Sequence, residues 1–290
     1  MPRPSERGSI RANLIWAYVI LCCLGGLALL PGAFSSTPVQ QKAAQETGND
    51  TTISLTLDST PTVGNSIVCV ISSGAELTIP SSVTGAGVTF AAARNSNTRR
   101  YVGIWYGTNS SGASATIDVT YPTNVGGREI NCTEWSGMQT ASPVDTSGAS
   151  NGKSTVTATT ATITPTSSVE RLFIAGTRIG GAVTFSSGPT NSFTLLTASA
   201  QPAGQGAYRV VTTTSGTYNT AITYSTSGDW DAAIAAFIPA AAGGSTLKDP
   251  IGRGIIPVPR AMLGPVPRLG EWVMAWFGRR TKTISGYTAP

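Results

Sequence analysis

Arg128-Glu129-Ile130-Asn131-Cys132-Thr133-Glu134-Trp135-Ser136-Gly137 is a strand-like run set between two stretches of similar make-up. Side chains alternate in a strand, so Ile130, Cys132 and Glu134 share one side of the pleat. The run closes a first half of the chain. Asp229-Trp230-Asp231, followed by Ala232 to Pro239, closes a second half in the matching place. From Ile53 onward the pattern is short apolar alternations broken by Gly, Ser, Asn and Pro, which predicts many strands joined by turns.

The two halves correspond in order and spacing. Ser66-Ile67-Val68-Cys69-Val70 matches Arg171-Leu172-Phe173-Ile174-Ala175 in character, Val88-Thr89-Phe90 matches Phe193-Thr194-Leu195, and Asp118-Val119-Thr120-Tyr121 matches Ala221-Ile222-Thr223-Tyr224. The offsets are 105, 105 and 103 residues. Alternating strands resemble one another by default, so chance likeness competes with an internal duplication. A duplication predicts halves of about 51–140 and 153–240, each a set of antiparallel strands unable to cover its own apolar face. Packed together they give an all-β fold, a two-sheet antiparallel sandwich.

Gly64-Asn65-Ser66-Ile67-Val68, then Glu134-Trp135-Ser136-Gly137, then Trp230 with Ala235-Ala236-Phe237, resemble a broad group of uncharacterised exported bacterial and phage-encoded β-sandwich proteins. In that group a Gly-Asn/Asp-x-Ile-Val opening strand and a Glu-Tyr/Trp-Ser-Gly strand end recur. The likeness spans roughly residues 50–240. It implies a jelly-roll-like sandwich, and it transfers no functional residues because the group carries no established activity.

Only 11% of the residues are charged, against about 25% in an ordinary globular protein. The formal charge of +5 is unevenly placed: residues 1–50 carry +1, residues 51–242 carry −1, and residues 243–290 carry +5. The body is therefore neutral, and no nucleic-acid partner is expected for it.

The ends read as separate segments. Arg3, Arg7 and Arg11 precede an uncharged run from Leu14 to Leu30, and small residues follow at Pro31 to Ser36. Residues 1–35 therefore read as a signal peptide or an uncleaved membrane anchor, with the body outside the cytoplasm. Residues 36–50 are polar and without period, a linker, and the sandwich occupies 51–242. In the tail, 243–290, Gly243-Gly244-Ser245 forms a joint and Pro-Val-Pro-Arg occurs twice, at 257–260 and 265–268, which favours extended chain. Leu269, Trp272, Val273 and Trp276 then share one face of a short helix, and Arg279, Arg280 and Lys282 follow it. Such a segment suits an anionic membrane surface or a partner's groove.

The chain has no histidine, which removes Ser-His-Asp and Cys-His catalysis and imidazole-based zinc sites. No metal or cofactor is called for. Ser147 to Ser154 mimics a phosphate loop but lacks its first Gly and the following helix, and reads as a solvated turn. Paired carboxylates for glycoside cleavage remain: Glu134 with Asp229 or Asp231. Against that, Glu134 has Arg171 or Arg178 as candidate ion-pair partners, and Asp229-Trp230-Asp231 has the make-up of a turn whose Trp packs on the core. Arg99-Arg100-Tyr101-Val102-Gly103-Ile104-Trp105-Tyr106 offers another surface. With Val102, Ile104 and Tyr106 in the core, Tyr101 and Trp105 form an exposed aromatic platform edged by Arg99 and Arg100, suited to a sugar ring with an acidic substituent. Ordinary cross-strand packing competes with it. Cys69 and Cys132 lie in strand-like segments, as a disulfide in an exported chain or as two small buried apolar residues.

These readings converge on an exported, non-catalytic surface module that binds a surface glycan or another surface protein, or serves as structure. A carbohydrate-active enzyme and a structural virion protein are the alternatives.

Overall fold

The computed structural model describes residues 34–240, except 110, 113, 182 and 198–202. The expected signal or anchor and the tail with Trp272, Trp276, Arg279 and Arg280 lie outside the described residues. The described chain is all-β and antiparallel, with no helix.

The first half supplies β1 (Gln40–Glu46), β2 (Asp50–Thr56), β3 (Ser66–Ser73), β4 (Ser82–Gly85), β5 (Val88–Thr89), β6 (Ala91–Ser96), β7 (Tyr101–Thr108), β8 (Thr116–Val125) and β9 (Arg128–Trp135). They form a five-stranded sheet in the order β1-β9-β3-β7-β6 and a four-stranded sheet in the order β2-β8-β4-β5. The chain crosses repeatedly between the two sheets, which is jelly-roll connectivity. Ile53, Leu55, Ile117 and Val119 from the smaller sheet pack on Ile67, Cys69, Ile71, Ile130 and Cys132 from the larger.

The second half supplies β10 (Val144–Thr159), β11 (Arg171–Ile179), β12 (Phe185–Ser187), β13 (Thr194–Leu195), β14 (Gly204–Val211) and β15 (Ala221–Phe237). Its sheet runs β10-β15-β11-β14-β13, with β12 on β15. The distal parts of the two long strands cover the sheet's outer face: Ala158, Ile222 and Tyr224 pack with Ile179 and Ala232. The pairing of β10 with β15 is irregular between Gly152 and Thr155, where extended strands can turn over. A Cβ on Gly152 would stand 2.4 Å from the Trp230 ring.

The duplication is visible in register. Adding 105 residues to one partner and 103 to the other carries Cys69↔Cys132 onto Ile174↔Ala235, Ser66↔Thr108 onto Arg171↔Val211, and Ile53↔Val119 onto Ala158↔Ile222. Strands β1 and β2 of the first half correspond to the single β10 of the second, and β8 with β9 to the single β15.

The halves associate differently from the expected pairing of one sheet each. Each half covers one face of its larger sheet with its own strands, and the halves then meet back to back. Val68, Val70, Val102, Ile104 and Trp135 pack there on Leu172, Ile174, Ala233, Ala235 and Phe237. Strand β3 is consequently buried at all eight positions, which accounts for the unbroken apolar run Ile67–Ile71.

The expected linker 36–50 is corrected. Gln40–Glu46 pairs along the whole of β9, from Gln40↔Glu134 to Glu46↔Arg128. An edge strand is held by backbone bonds and needs few apolar side chains, so a polar sequence conceals it. Ser147 to Ser154 likewise belongs to β10, not to a turn, and Asp229-Trp230-Asp231 lies inside β15.

Candidate functional site

The aromatic platform does not form. Tyr101 is fully buried; its hydroxyl donates to Asn95 at 3.1 Å and accepts from the Trp105 indole at 2.7 Å. Trp105 packs partly buried against the same core. The alternation along β7 is as expected, but a second sheet covers the face that carries Tyr101 and Trp105. Burial pushes the Tyr101 hydroxyl well above its usual pKa.

Arg99 and Arg100 serve the join between halves. Their backbone N–H groups donate to Asp231 Oδ2 at 2.7 and 2.6 Å, while Thr98 N–H and the Ser96 hydroxyl donate to its Oδ1 at 3.1 and 2.5 Å. Their side chains reach Asp229 at 3.5 Å and Glu76 at 3.3 Å respectively. The first half returns the arrangement. Glu129, on β9, accepts from the backbone of Ala203 and Gly204 at 3.2 and 2.8 Å and from Arg178 Nη1 at 2.5 Å. Each half thus places a buried carboxylate against the N–H groups that lead into, or begin, the other half's β7 or β14.

The carboxylates proposed for acid–base work are not brought together. Glu134 accepts from Thr62 N–H at 2.8 Å, Asn65 at 2.6 Å and Gln40 at 2.6 Å. Its expected ion-pair partners go elsewhere, Arg171 to Asp145 and Arg178 to Glu129. Glu134 stands opposite Ile67, whereas Asp231 binds the residues before Tyr101, which stands opposite Ser73. At about 3.3 Å per residue along β3, the two carboxylates are ~20 Å apart, far beyond the roughly 5–9 Å of a glycosidase pair. Asp229 accepts from Ser154 N–H at 3.1 Å, and the Trp230 indole donates to Thr155 at 2.7 Å.

Cys69 and Cys132 are joined by a disulfide, directly opposite each other on β3 and β9.

A grouping outside the sequence-derived candidates surrounds Arg178. A cleft of about 440 Å³ is lined by Asn49, Gly74, Ala75, the turn 124–127 and Arg178. Among the described residues no carboxylate lines it. Arg178 is 6% exposed, its Nη1 is held by Glu129, and its buried Nε has no hydrogen-bond partner among the described residues. The guanidinium lies against the turns: a Cβ on Gly127 would come within 2.7 Å of Nη2, and one on Gly74 within 3.5 Å. The only sequence signal for this place was Gly126-Gly127-Arg128 between two strands, which reads first as a turn.

Compared with known protein families, with curated proteins and with solved structures, the chain matches none.

Proposed function

We propose that this chain is an exported, non-catalytic binding or structural module of a cell or virion surface. The observation that carries the reading is that the side chains best suited to chemistry are committed to the fold. Glu134, Asp231 and Glu129 each accept at least three hydrogen bonds from neighbouring elements, and Tyr101 is sealed between sheets. A carboxylate so engaged is a poor proton shuttle. The Cys69–Cys132 disulfide supports an oxidising compartment, in line with the N-terminal Arg-flanked apolar run. The neutral body leaves any electrostatic docking on a membrane or a partner's groove to the basic tail. A surface glycan or another surface protein is the partner class. Stacking on Tyr101 and Trp105 is no longer its basis.

Fractionation of producing cells, thiol trapping and a polysaccharide panel test this together. The expected result is chain outside the cytoplasm, Cys69 and Cys132 unreactive before reduction, and no release of reducing ends. A reduced cytoplasmic pool overturns the export reading. Reducing ends released by the wild type and lost in Glu134→Gln overturn the non-catalytic reading.

A further inference from the structure

We propose that the cleft between Gly74 and the 124–127 turn binds an oxyanion carried on a sugar-sized ligand, a uronate carboxylate or a sulfate ester, anchored by Arg178. The cleft, about 440 Å³ and largely open to solvent, has room for a sugar residue lying along the surface. Among the described residues its one charged lining residue is Arg178, a guanidinium of the kind that binds carboxylates and sulfates, here through Nη2. Glu129 holds Nη1 at 2.5 Å, so the group is fixed in orientation while its Nη2 edge faces the glycine turns.

Each guanidinium near the cleft is paired with a carboxylate, Arg178 with Glu129, Arg128 with Glu46 and Arg100 with Glu76, so an anion in the cleft is met by the Nη2 side of Arg178 that the pairing leaves toward the glycine turns. Arg128 follows Gly127 directly, is 1% exposed, and has its buried Nε and Nη1 without partners among the described residues, while its Nη2 donates to Glu46 at 2.7 Å. Asp50, opposite Val125 in the ladder, turns its carboxylate to Thr51 N–H at 2.6 Å. Arg100 is engaged by Gly74 O and Glu76, each at 3.3 Å. Gly127, at a φ of +58°, leaves the guanidinium uncovered, since a Cβ there would come within 2.7 Å of Arg178 Nη2. Asn49 and Asn124, both exposed, supply amides at the rim that can bond ring hydroxyls.

The inference rests on the surface-module reading only in naming a saccharide as the carrier. Titration calorimetry on the full chain uses a galacturonate trisaccharide, a sulfated galactan oligosaccharide, neutral maltotriose and inorganic sulfate. Binding of at least one acidic oligosaccharide, at least about tenfold tighter than maltotriose and weakened by salt, is expected. Asn124→Asp, at an exposed position, should weaken that binding about fivefold or more at an unchanged Tm, and Arg178→Lys by more. Whether uronate or sulfate ester binds identifies the oxyanion. Equal affinity for maltotriose, no binding of either acidic probe at millimolar concentration, affinity no better than inorganic sulfate, or binding indifferent to both variants overturns the site. If the acidic probes fail while the chain is found outside the cytoplasm in its oxidised state, the site falls and the surface-module reading stands.

Discussion

Asp231 and Glu129 do related work in opposite halves, yet their settings differ. Asp231 is fully buried and faces three backbone N–H groups and a hydroxyl of the 96–100 segment, so removing it strands several donors at once. Asp231→Ala should cost about 1.5–3 kcal/mol and speed amide exchange at Thr98, Arg99 and Arg100. Urea unfolding that shows a loss below ~1 kcal/mol, the worth of one ordinary hydrogen bond, would contradict the clamp. Glu129 is desolvated strongly enough that burial raises its carboxyl above the ordinary 4.5, although Arg178 and the Gly204 and Ala203 N–H groups oppose the rise. Asp145 behaves oppositely: burial raises it, but Thr166 and Arg171 together outweigh burial and bring it below the ordinary 3.8. The folded state thus holds the Glu129 proton more tightly than the unfolded chain, and that stabilisation is lost as pH rises through the folded value. Asp145 contributes stability that is present above 3.8 and lost as pH falls through its lowered value. As pH rises above 4.5 Glu129→Gln should therefore lose less stability than wild type, and as pH falls below 3.8 the gap between wild type and Asp145→Asn should close. Parallel pH profiles for both variants and the wild type would refute these assignments.

Strand β3 holds the elements together, since it pairs with β7 on one side and β9 on the other while both its faces are buried. The Cys69–Cys132 link ties it to β9 across a sequence separation of 63, for which the chain-entropy relation gives about 4 kcal/mol. Replacing both cysteines with alanine should remove much of that, read as a fall in the urea midpoint that reductant reproduces in wild type; an unchanged midpoint would sink it. The β1 edge makes a second test. A chain beginning at residue 48 leaves β9 unpaired along its outer side, and such an open edge recruits other chains, so size-exclusion should show dimers or larger species where the full chain does not. How much of this could be read beforehand follows from what creates periodicity. Strands with one buried face announce themselves by alternation, as Ile117, Val119 and Tyr121 do, and the matched offsets of the two halves were visible for the same reason. Strand β1 was hidden because it is held by its backbone ladder and by polar side chains such as Gln40 and Glu46, which leave no apolar alternation. The strand through Asp229-Trp230-Asp231 was hidden because the groups that satisfy Asp231 come from the distant 96–100 segment. The exposure assigned to Tyr101 failed because alternation identifies two faces of β7 but not the second sheet that covers one of them. The Arg178 cleft joins a strand end of one half to a turn of the other, a juxtaposition that no local pattern encodes.

At the scale of the molecule, the question is whether two similar sandwiches act as one body. Their contact is apolar and interdigitated: the Trp135 and Tyr208 rings meet edge to face at 5.3 Å, and the Tyr106 and Phe237 rings at 5.6 Å. The Glu129 and Asp231 carboxylates complete their hydrogen bonding only when the other half is in place, so separating the halves would expose apolar area and strand buried donors together. Unfolding one half should therefore remove the stability of the other, giving a single calorimetric transition whose van't Hoff and calorimetric enthalpies agree. The backs of the sheets come close at Gly176, where a Cβ would stand 2.5 Å from the Val70 side chain and 2.9 Å from that of Val102. Gly176→Val drives a branched side chain into that contact, and overpacking of this kind costs about 1–3 kcal/mol. Because the wedge acts on the join, it should either lower the single transition as a whole or split it into two. A loss of protection from amide exchange confined to β11 and β14, with the first half's strands unaffected, would show instead that the halves are stable independently and merely in contact.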